Sequence, residues 1–497
     1  MKQQKLCSVL QKICLVVALL CAYIGSAVYL YIDAPLFNHY PLMIALFVVL
    51  LLLMTGSVIY SFLPQKSNQK STKILNLAAA LFTVLLGVAI ILTQLVFDHF
   101  QPFSIFIPPI VCFVVFLLCY GLSGIFGWFG AQNTKALSLV AVAFLGVILL
   151  NTAWAKTQDY AKFNETVENK VVFQKGEGDY TTYRIPTLLL LEDAGTDGAD
   201  ALAVFAEARC HTARDKSDSE MVYKLSLDGG ETFSAIEVAL RPEDVFGENG
   251  RIADPTPAYN PETHTVGVLF EAGKTSQNYR LTSYYMEGVF QDGQLIWHRE
   301  TLKNVTEELG MDIGAGPAKG VCLADGRFAF PIRCAEGNAV LCVKDNIFTV
   351  GAKTADGAEA DLDVDSEENL FMMLRSGSMA SFPRNAHLRL AAFQEAGMTL
   401  QTPAFATTLP TPSVQSSVAC YDGKLYAAFA NSYKVRANLS YAVSEDGGQT
   451  FQPPIPLYAG ASGYAIGDIS KDGTYYIIAE LGKVEYNDEL RLFKIQL

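Results

Sequence analysis

The sequence predicts two unlike parts: an α-helical membrane domain of about five spans over residues 1–155, and an all-β domain built from a repeated unit over 156–497. Three observations predict this division. Apolar runs of membrane-spanning length fill the first part, charge is split unevenly between the two, and an eight-residue phrase occurs twice in the second. Averages over all 497 residues, 51% hydrophobic with a net charge of −13, conceal the split, so each part is read by itself.

The apolar runs extend approximately from Ile13 to Ile32, Pro41 to Leu63, Ile74 to Phe97, Phe103 to Phe129 and Leu137 to Trp154. Each is long enough to cross about 30 Å of hydrocarbon as a helix. The first, behind Lys2, Lys5 and Lys12, also fits a cleaved signal peptide, but its length and the four runs that follow argue for an uncleaved anchor. This part holds seven lysines, no arginine and only two acids, Asp33 and Asp98. The lysines mark alternate loops: three precede the first run, Lys66, Lys70 and Lys73 precede the third, and Lys135 precedes the fifth. The positive-inside rule then predicts an integral membrane protein with a cytoplasmic N-terminus, the lipid bilayer as partner of the spans, and everything after Trp154 on the extracytoplasmic side. No Asp, Glu, Lys, Arg or His falls mid-span, so anchoring is the expected role.

Residues 156–497 carry 30 basic and 48 acidic residues. The acidic balance and the lack of a basic stripe argue against a nucleic-acid partner. Short runs such as Thr182 to Leu188, Lys424 to Phe429 and Thr474 to Ile478 read as strands, punctuated by Asp-Gly turns at Asp325-Gly326, Asp422-Gly423 and Asp472-Gly473. No long amphipathic helix is evident. The repeated phrase is Ser226-Leu227-Asp228-Gly229-Gly230-Glu231-Thr232-Phe233 and Ser444-Glu445-Asp446-Gly447-Gly448-Gln449-Thr450-Phe451. It predicts a tight turn in which the Asp accepts backbone N–H groups, the glycines take positive φ and the Phe plugs the sheet below. A turn repeated this closely implies a repeated β-unit.

Five of the ten cysteines lie in this part (Cys210, Cys322, Cys334, Cys342, Cys420), an odd count that leaves room for at most a partial set of bridges, with Cys322–Cys334 one possibility and small buried residues the other. The histidines lack metal-ligand spacing. The stretch Asp361-Leu362-Asp363-Val364-Asp365-Ser366 begins like a calcium loop, but it has no Gly at the sixth position and Met372 at the twelfth, so it reads as an alternating strand. Gly460-Ala461-Ser462-Gly463-Tyr464 misses the serine-hydrolase elbow at its last position.

The repeated phrase resembles the Asp-box of sialidases and other β-propellers. Tyr183-Arg184-Ile185-Pro186 is similar to the Arg-Ile-Pro signature that opens the catalytic domain of exo-α-sialidases. The likeness continues in order through Phe205-Ala206-Glu207-Ala208-Arg209, the first repeat, Gly316-Pro317, Asp325-Gly326-Arg327, Pro331, Leu374-Arg375 and Val435-Arg436, which leads into the second repeat. Residues 1–155 are outside it. The resemblance implies a six-bladed β-propeller of four-stranded blades, at about 57 residues per blade. A β-sandwich would hold as many strands without explaining the repeated turn.

A sialic acid carries a carboxylate on the carbon that is attacked, and planar, permanently charged guanidinium forks suit such an anion. The resemblance implies three of them: Arg184, Arg375 and Arg436. Glu480 resembles the glutamate that steadies the first, and Arg209 an arginine that contacts the sugar ring. The substrate carboxylate repels a carboxylate nucleophile, and sialidases use tyrosine instead. Tyr464, 28 residues after Arg436, and Glu359, 16 before Arg375, stand where the family places the nucleophile and its activating glutamate. A neutral phenol needs that base. Asp215, six residues after Arg209, matches the acid that protonates the departing oxygen and later activates water, with Asp218 as competitor.

The resemblance thus implies a retaining exo-α-sialidase acting on terminal sialic acid of sialylated glycoconjugates, with no metal or organic cofactor. Three rivals remain. A trans-sialidase typically holds its acceptor on an aromatic just ahead of the third arginine, and here Tyr433-Lys434-Val435 puts Lys434 two residues before Arg436, which weakens that reading. A sialic-acid lectin on the same fold would not need Tyr464, Glu359 and Asp215. A sensor or transporter would be supported by ionisable residues inside the spans.

Overall fold

Short apolar runs punctuated by turns fold into 24 strands in the computed structural model, which describes residues 162–497 other than 199, 214, 355–358, 376–386, 434–435 and 483–485, together with Ile13. The chain divides into two compact units, Met1–Tyr160 and Ala161–Leu497.

The second unit is mostly β. Its eight-stranded sheet comprises β2 (Thr182–Leu191), β3 (Ala201–Arg209), β4 (Ser219–Ser226), β5 (Glu237–Leu240), β6 (Gly250–Asn260), β7 (Thr265–Lys274), β8 (Thr282–Gln291) and β9 (Gln294–Asn304). One parallel pairing, Ser219 with Arg251, joins the first four strands to the last four. A five-stranded sheet follows: β10 (Ile313–Ala315), β11 (Val321–Cys322), β12 (Phe328–Cys334), β13 (Gly337–Lys344) and β14 (Ile347–Thr354). Next comes a four-stranded sheet of β15 (Ala360–Val364), β16 (Leu370–Leu374), β17 (His387–Gln394) and β18 (Thr399–Pro410). The last sheet holds seven: β19 (Ser417–Tyr421), β20 (Lys424–Ala430), β21 (Ala437–Ser444), β22 (Ile455–Ile469), β23 (Thr474–Gly482), β24 (Glu489–Gln496) and, beside β24, the first strand β1 (Glu168–Gln174). The long strand β22 pairs with β21 along its first half and with β23 along its second.

The core lies between successive strand groups. Phe205, Phe270 and Met286 fill one interface and Tyr285, Phe330 and Leu341 the next. Val204 and Ala206 of the first group pack against Ile466, Ile478 and Leu492 of the last. Each such buried Val, Leu, Ile, Phe or Met side chain contributes roughly 1.5–3 kcal/mol of transfer free energy. Covered on both faces, β2, β3 and β6 are buried at every position, which is why none of them reads as an apolar–polar alternation.

Both copies of the repeated phrase form the same turn, β4 to β5 and β21 to β22. Asp228 Oδ1 accepts from Thr232 N at 2.8 Å and Asp446 Oδ1 from Thr450 N at 2.9 Å, while φ is 65° and 90° at Gly229 and Gly230, 68° and 86° at Gly447 and Gly448. Phe233 and Phe451 pack against the clusters beneath.

Several expectations are corrected. Among the described residues the two α-helices, α1 (Pro242–Phe246) and α2 (Val305–Leu309), are five residues each, and no helix is long and apolar enough to cross a membrane. This overturns the integral-membrane localisation and leaves the bilayer as partner without support; the five apolar runs behind that reading lie, Ile13 excepted, outside the described residues. Cys322 and Cys334 are both free, as are Cys210, Cys342 and Cys420. The acidic stretch is a strand, β15, yet its Asp361 is fully buried, because Lys319 Nζ lies 3.3 Å from Asp361 Oδ2 and 3.9 Å from Asp363 Oδ2. Ser417 Oγ and Val418 N donate to the same Asp361 oxygen at 2.6 and 3.0 Å. Asp468 on β22 completes this ionic knot, and burial pushes its carboxyl up to about 7, with Lys319 opposing.

Candidate active site

Strand β2 breaks its pairing with β3 after Arg184. Ile185 takes φ 54° there, a left-handed conformation that costs a β-branched residue on the order of 1–3 kcal/mol. Glu480 of β23 compensates. Its Oε1 accepts from Ile185 N at 2.8 Å and from Arg184 Nε at 2.6 Å, while Oε2 lies 3.3 Å from Arg184 Nη2 and accepts from Tyr464 N at 3.1 Å. One fully buried carboxylate thus fixes the guanidinium and the backbone of the tyrosine together. Desolvation works against the Arg184 charge, but Glu480 outweighs it and holds its pKa above the ordinary value.

Tyr464, on β22, is buried. Its Oη lies 2.8 Å from each carboxylate oxygen of Glu359, to which it donates, and accepts from Arg375 Nη1 at 3.2 Å. Arg375 also pairs with Glu359 and donates to Ser413 Oγ at 3.3 Å. The Arg184 and Arg436 guanidinium carbons are 6.0 and 5.4 Å from the centre of the Tyr464 ring. Burial, then Glu359, raises the Tyr464 pKa well above its ordinary value against the pull of Arg436 and Arg375. The phenol is therefore neutral at rest, with its proton aimed at a carboxylate.

Asp215 pairs with Arg209. Its side chain is 77% exposed and lies 3.1 Å from Arg209 Nη2; although desolvation opposes, Arg209, Arg251 and Arg184 hold its carboxyl below the usual range. Arg209 itself is fully buried, with Nη2 2.8 Å and Nε 3.1 Å from Glu207 Oε2 and Nη1 donating to Ala213 O at 2.5 Å. Asp218 accepts from Thr275 Oγ1 at 2.7 Å and lies 3.5 Å from His211. Of the eight residues singled out in the sequence, six (Arg184, Glu359, Arg375, Arg436, Tyr464 and Glu480) converge on one place. Arg209 and Asp215 form a neighbouring pair.

No family model matches the chain. Solved structures do. The Hadza microbial sialidase Hz136 is 18% identical with a TM-score of 0.55, over 66% of this chain and 68% of that one. Trypanosoma rangeli sialidase in complex with the inhibitor DANA is 15% identical at TM-score 0.51, over 67% of this chain and 59% of that one. The intramolecular trans-sialidase from Ruminococcus gnavus, in complex with oseltamivir carboxylate, is 14% identical at 0.52, over 66% and 97%. The fold is that of the sialidases. At these identities the likeness is one of fold, and the chain spans less than two thirds of the Trypanosoma rangeli enzyme.

Sequence reasoning missed a layer of charges beside the site. Glu207 on β3, fully buried, binds Arg251 Nη2 at 2.9 Å as well as Arg209, and accepts from Asp254 N at 3.2 Å. Desolvation opposes its ionisation, but Arg251 and Arg209 keep its pKa low. Asp254 repeats the device at Ile185: it takes φ 51° before a proline, where β6 slips against β7. Burial, then Glu271, raises the Asp254 pKa well above its usual value despite Arg333, whose Nη2 lies 3.1 Å from Asp254 Oδ2 and also pairs with Glu271. A usable signal was present, since Glu207 and Glu271 are lone acids inside largely apolar strands, and buried charges require partners.

Proposed function

We propose that this chain is an exo-α-sialidase that releases terminal sialic acid from glycoconjugates with retention of configuration. The observation that carries the reading is Tyr464 Oη, 2.8 Å from both Glu359 oxygens and 3.2 Å from Arg375, with Arg184 and Arg436 beside the ring. In this reading the three guanidiniums bind the substrate carboxylate. Glu359 takes the phenol proton as Oη attacks the anomeric carbon, and Asp215 protonates the departing oxygen. Water, deprotonated by Asp215, then cleaves the tyrosyl–sugar bond as Glu359 returns its proton. Since Arg209 favours ionised Asp215, the acid step requires that pair to loosen when the sugar arrives. The strand groups and their interfaces support reading the four sheets as six four-stranded blades, with two fusions, at Ser219–Arg251 and within β22.

A 3-fluorosialosyl fluoride, which slows breakdown of the intermediate, tests the mechanism. The expected result is one added sugar mass on a peptide containing Tyr464; labelling elsewhere removes tyrosine from the role.

Transfer is the second reading, and one observation favours it: Tyr433, three residues before Arg436, is 42% exposed and meets His387 edge-on at 5.6 Å. Products formed with and without an added glycan acceptor separate the two. Hydrolysis gives free sialic acid in both cases, whereas transfer gives a new sialoside or an internal anhydro sugar.

A further inference from the structure

Arg436 is held differently from the other two arginines of the group. Arg184 pairs with Glu480 and Arg375 with Glu359, whereas among the described residues no carboxylate pairs with Arg436. Aromatic rings flank it instead: its guanidinium carbon is 5.4 Å from the centre of the Tyr464 ring and 4.9 Å from that of Tyr486, and Tyr486 stands at the same 4.9 Å from Arg184. A ring face attracts a guanidinium through its quadrupole. Unlike a carboxylate, it neither neutralises the charge nor occupies the N–H donors. An arginine fixed this way keeps its whole fork for an incoming anion.

The chain makes room for the ring. Gly463 has no positive φ to explain it; rather, a Cβ there would stand 2.0 Å from Glu480 Oε2 and 2.7 Å from Tyr486 Cδ2. The residue before Tyr464 must therefore lack a side chain if Glu480 and Tyr486 are both to reach the arginines.

We propose that Tyr486 is a positioning residue that holds Arg184 and Arg436 by cation–π attraction in the geometry that receives the substrate carboxylate, an inference resting on the sialidase reading above. The test uses the full chain and the 2,3-unsaturated sialic acid analogue as probe, with dissociation constants measured by calorimetry alongside melting temperature. Tyr486→Phe keeps the ring and should bind within about twofold of wild type. Tyr486→Leu keeps apolar bulk without a π face and should bind about tenfold more weakly at a similar melting temperature. Equal binding by the two variants overturns the proposal. Should the leucine variant be unstable, phenylalanines carrying one, two and three ring fluorines at 486 keep the shape while withdrawing electron density from the face. Affinity then falls stepwise with fluorine count, and a flat series overturns the proposal. Wild type that fails to bind the analogue removes the sialidase reading and this inference together; wild-type binding with a flat series removes the inference alone.

Discussion

A phenol whose proton points at a carboxylate is more useful to chemistry than to stability, because ring packing survives loss of the oxygen. Tyr464→Phe should therefore lower sialoside turnover by orders of magnitude while shifting stability by about 1 kcal/mol or less, checked by steady-state kinetics beside a thermal melt. Equal activity would remove the oxygen at 464 from the reaction. At this scale the sequence was legible where a residue sits in a dense local phrase, as Arg184 does before Ile185-Pro186. It was less so where a charge finds its partner from a distant strand. Glu207 meets Arg251 across 44 positions and Arg333 meets Asp254 across 79, and no spacing rule spans such gaps. The Asp215–Arg209 pairing was likewise hidden, since a loop's reach is set by packing and not by residue count.

Strands are where the reading from sequence was strongest, for a physical reason. Asp-Gly at 422–423 and 472–473 turns β19 into β20 and β22 into β23, because that dipeptide supplies the tight reversal a hairpin needs. What pattern could not supply was membership of sheets: β22 serves two neighbours, changing partner near Ala461, where the small residues Gly460-Ala461-Ser462-Gly463 mark an irregularity without saying which strands flank it. The apolar runs of residues 1–155 lie, Ile13 excepted, outside the described residues, and a run of about 20 residues measures only what a helix could cross. On β22 the close packing at Gly463 gives a specific expectation. Gly463→Ala forces a Cβ against Glu480 Oε2 and the Tyr486 ring and should cost about 1–3 kcal/mol in a denaturant melt, typical of overpacking, with weaker analogue binding as Arg184 loses its partner's alignment. An alanine variant as stable as wild type would mean that the strand yields freely at this point.

For the molecule as a whole, the ionic knot ties strand groups together: Lys319 precedes β11, Asp361 and Asp363 lie on β15, Ser417 on β19 and Asp468 on β22. With its folded pKa near 7 and an unfolded value of about 3.9, Asp468 binds more protons folded than unfolded between those limits. Its contribution to stability is thus complete below about pH 4 and falls as pH rises through 7. Asp468→Asn, which mimics the protonated form, should match wild type near pH 4 and exceed it at pH 8 by on the order of 1–2 kcal/mol. Melting temperature against pH for the two proteins checks this, and parallel curves would place the titration elsewhere.

Strand β1 hydrogen-bonds to β24, with Glu168 opposite Lys494 and Gln174 opposite Glu489, and the sheet they complete also carries Tyr464 and Glu480. For a chain emerging from a ribosome this order of events matters. Glu168–Gln174 waits, already synthesised, for a partner made more than 300 residues later, and until that partner is released the edge of β23 that β24 covers stays open. Nascent chains stalled before Glu489 would therefore be targets for chaperones and proteases, so that assembly of the sheet carrying Tyr464 and Glu480 becomes a readout of completed translation.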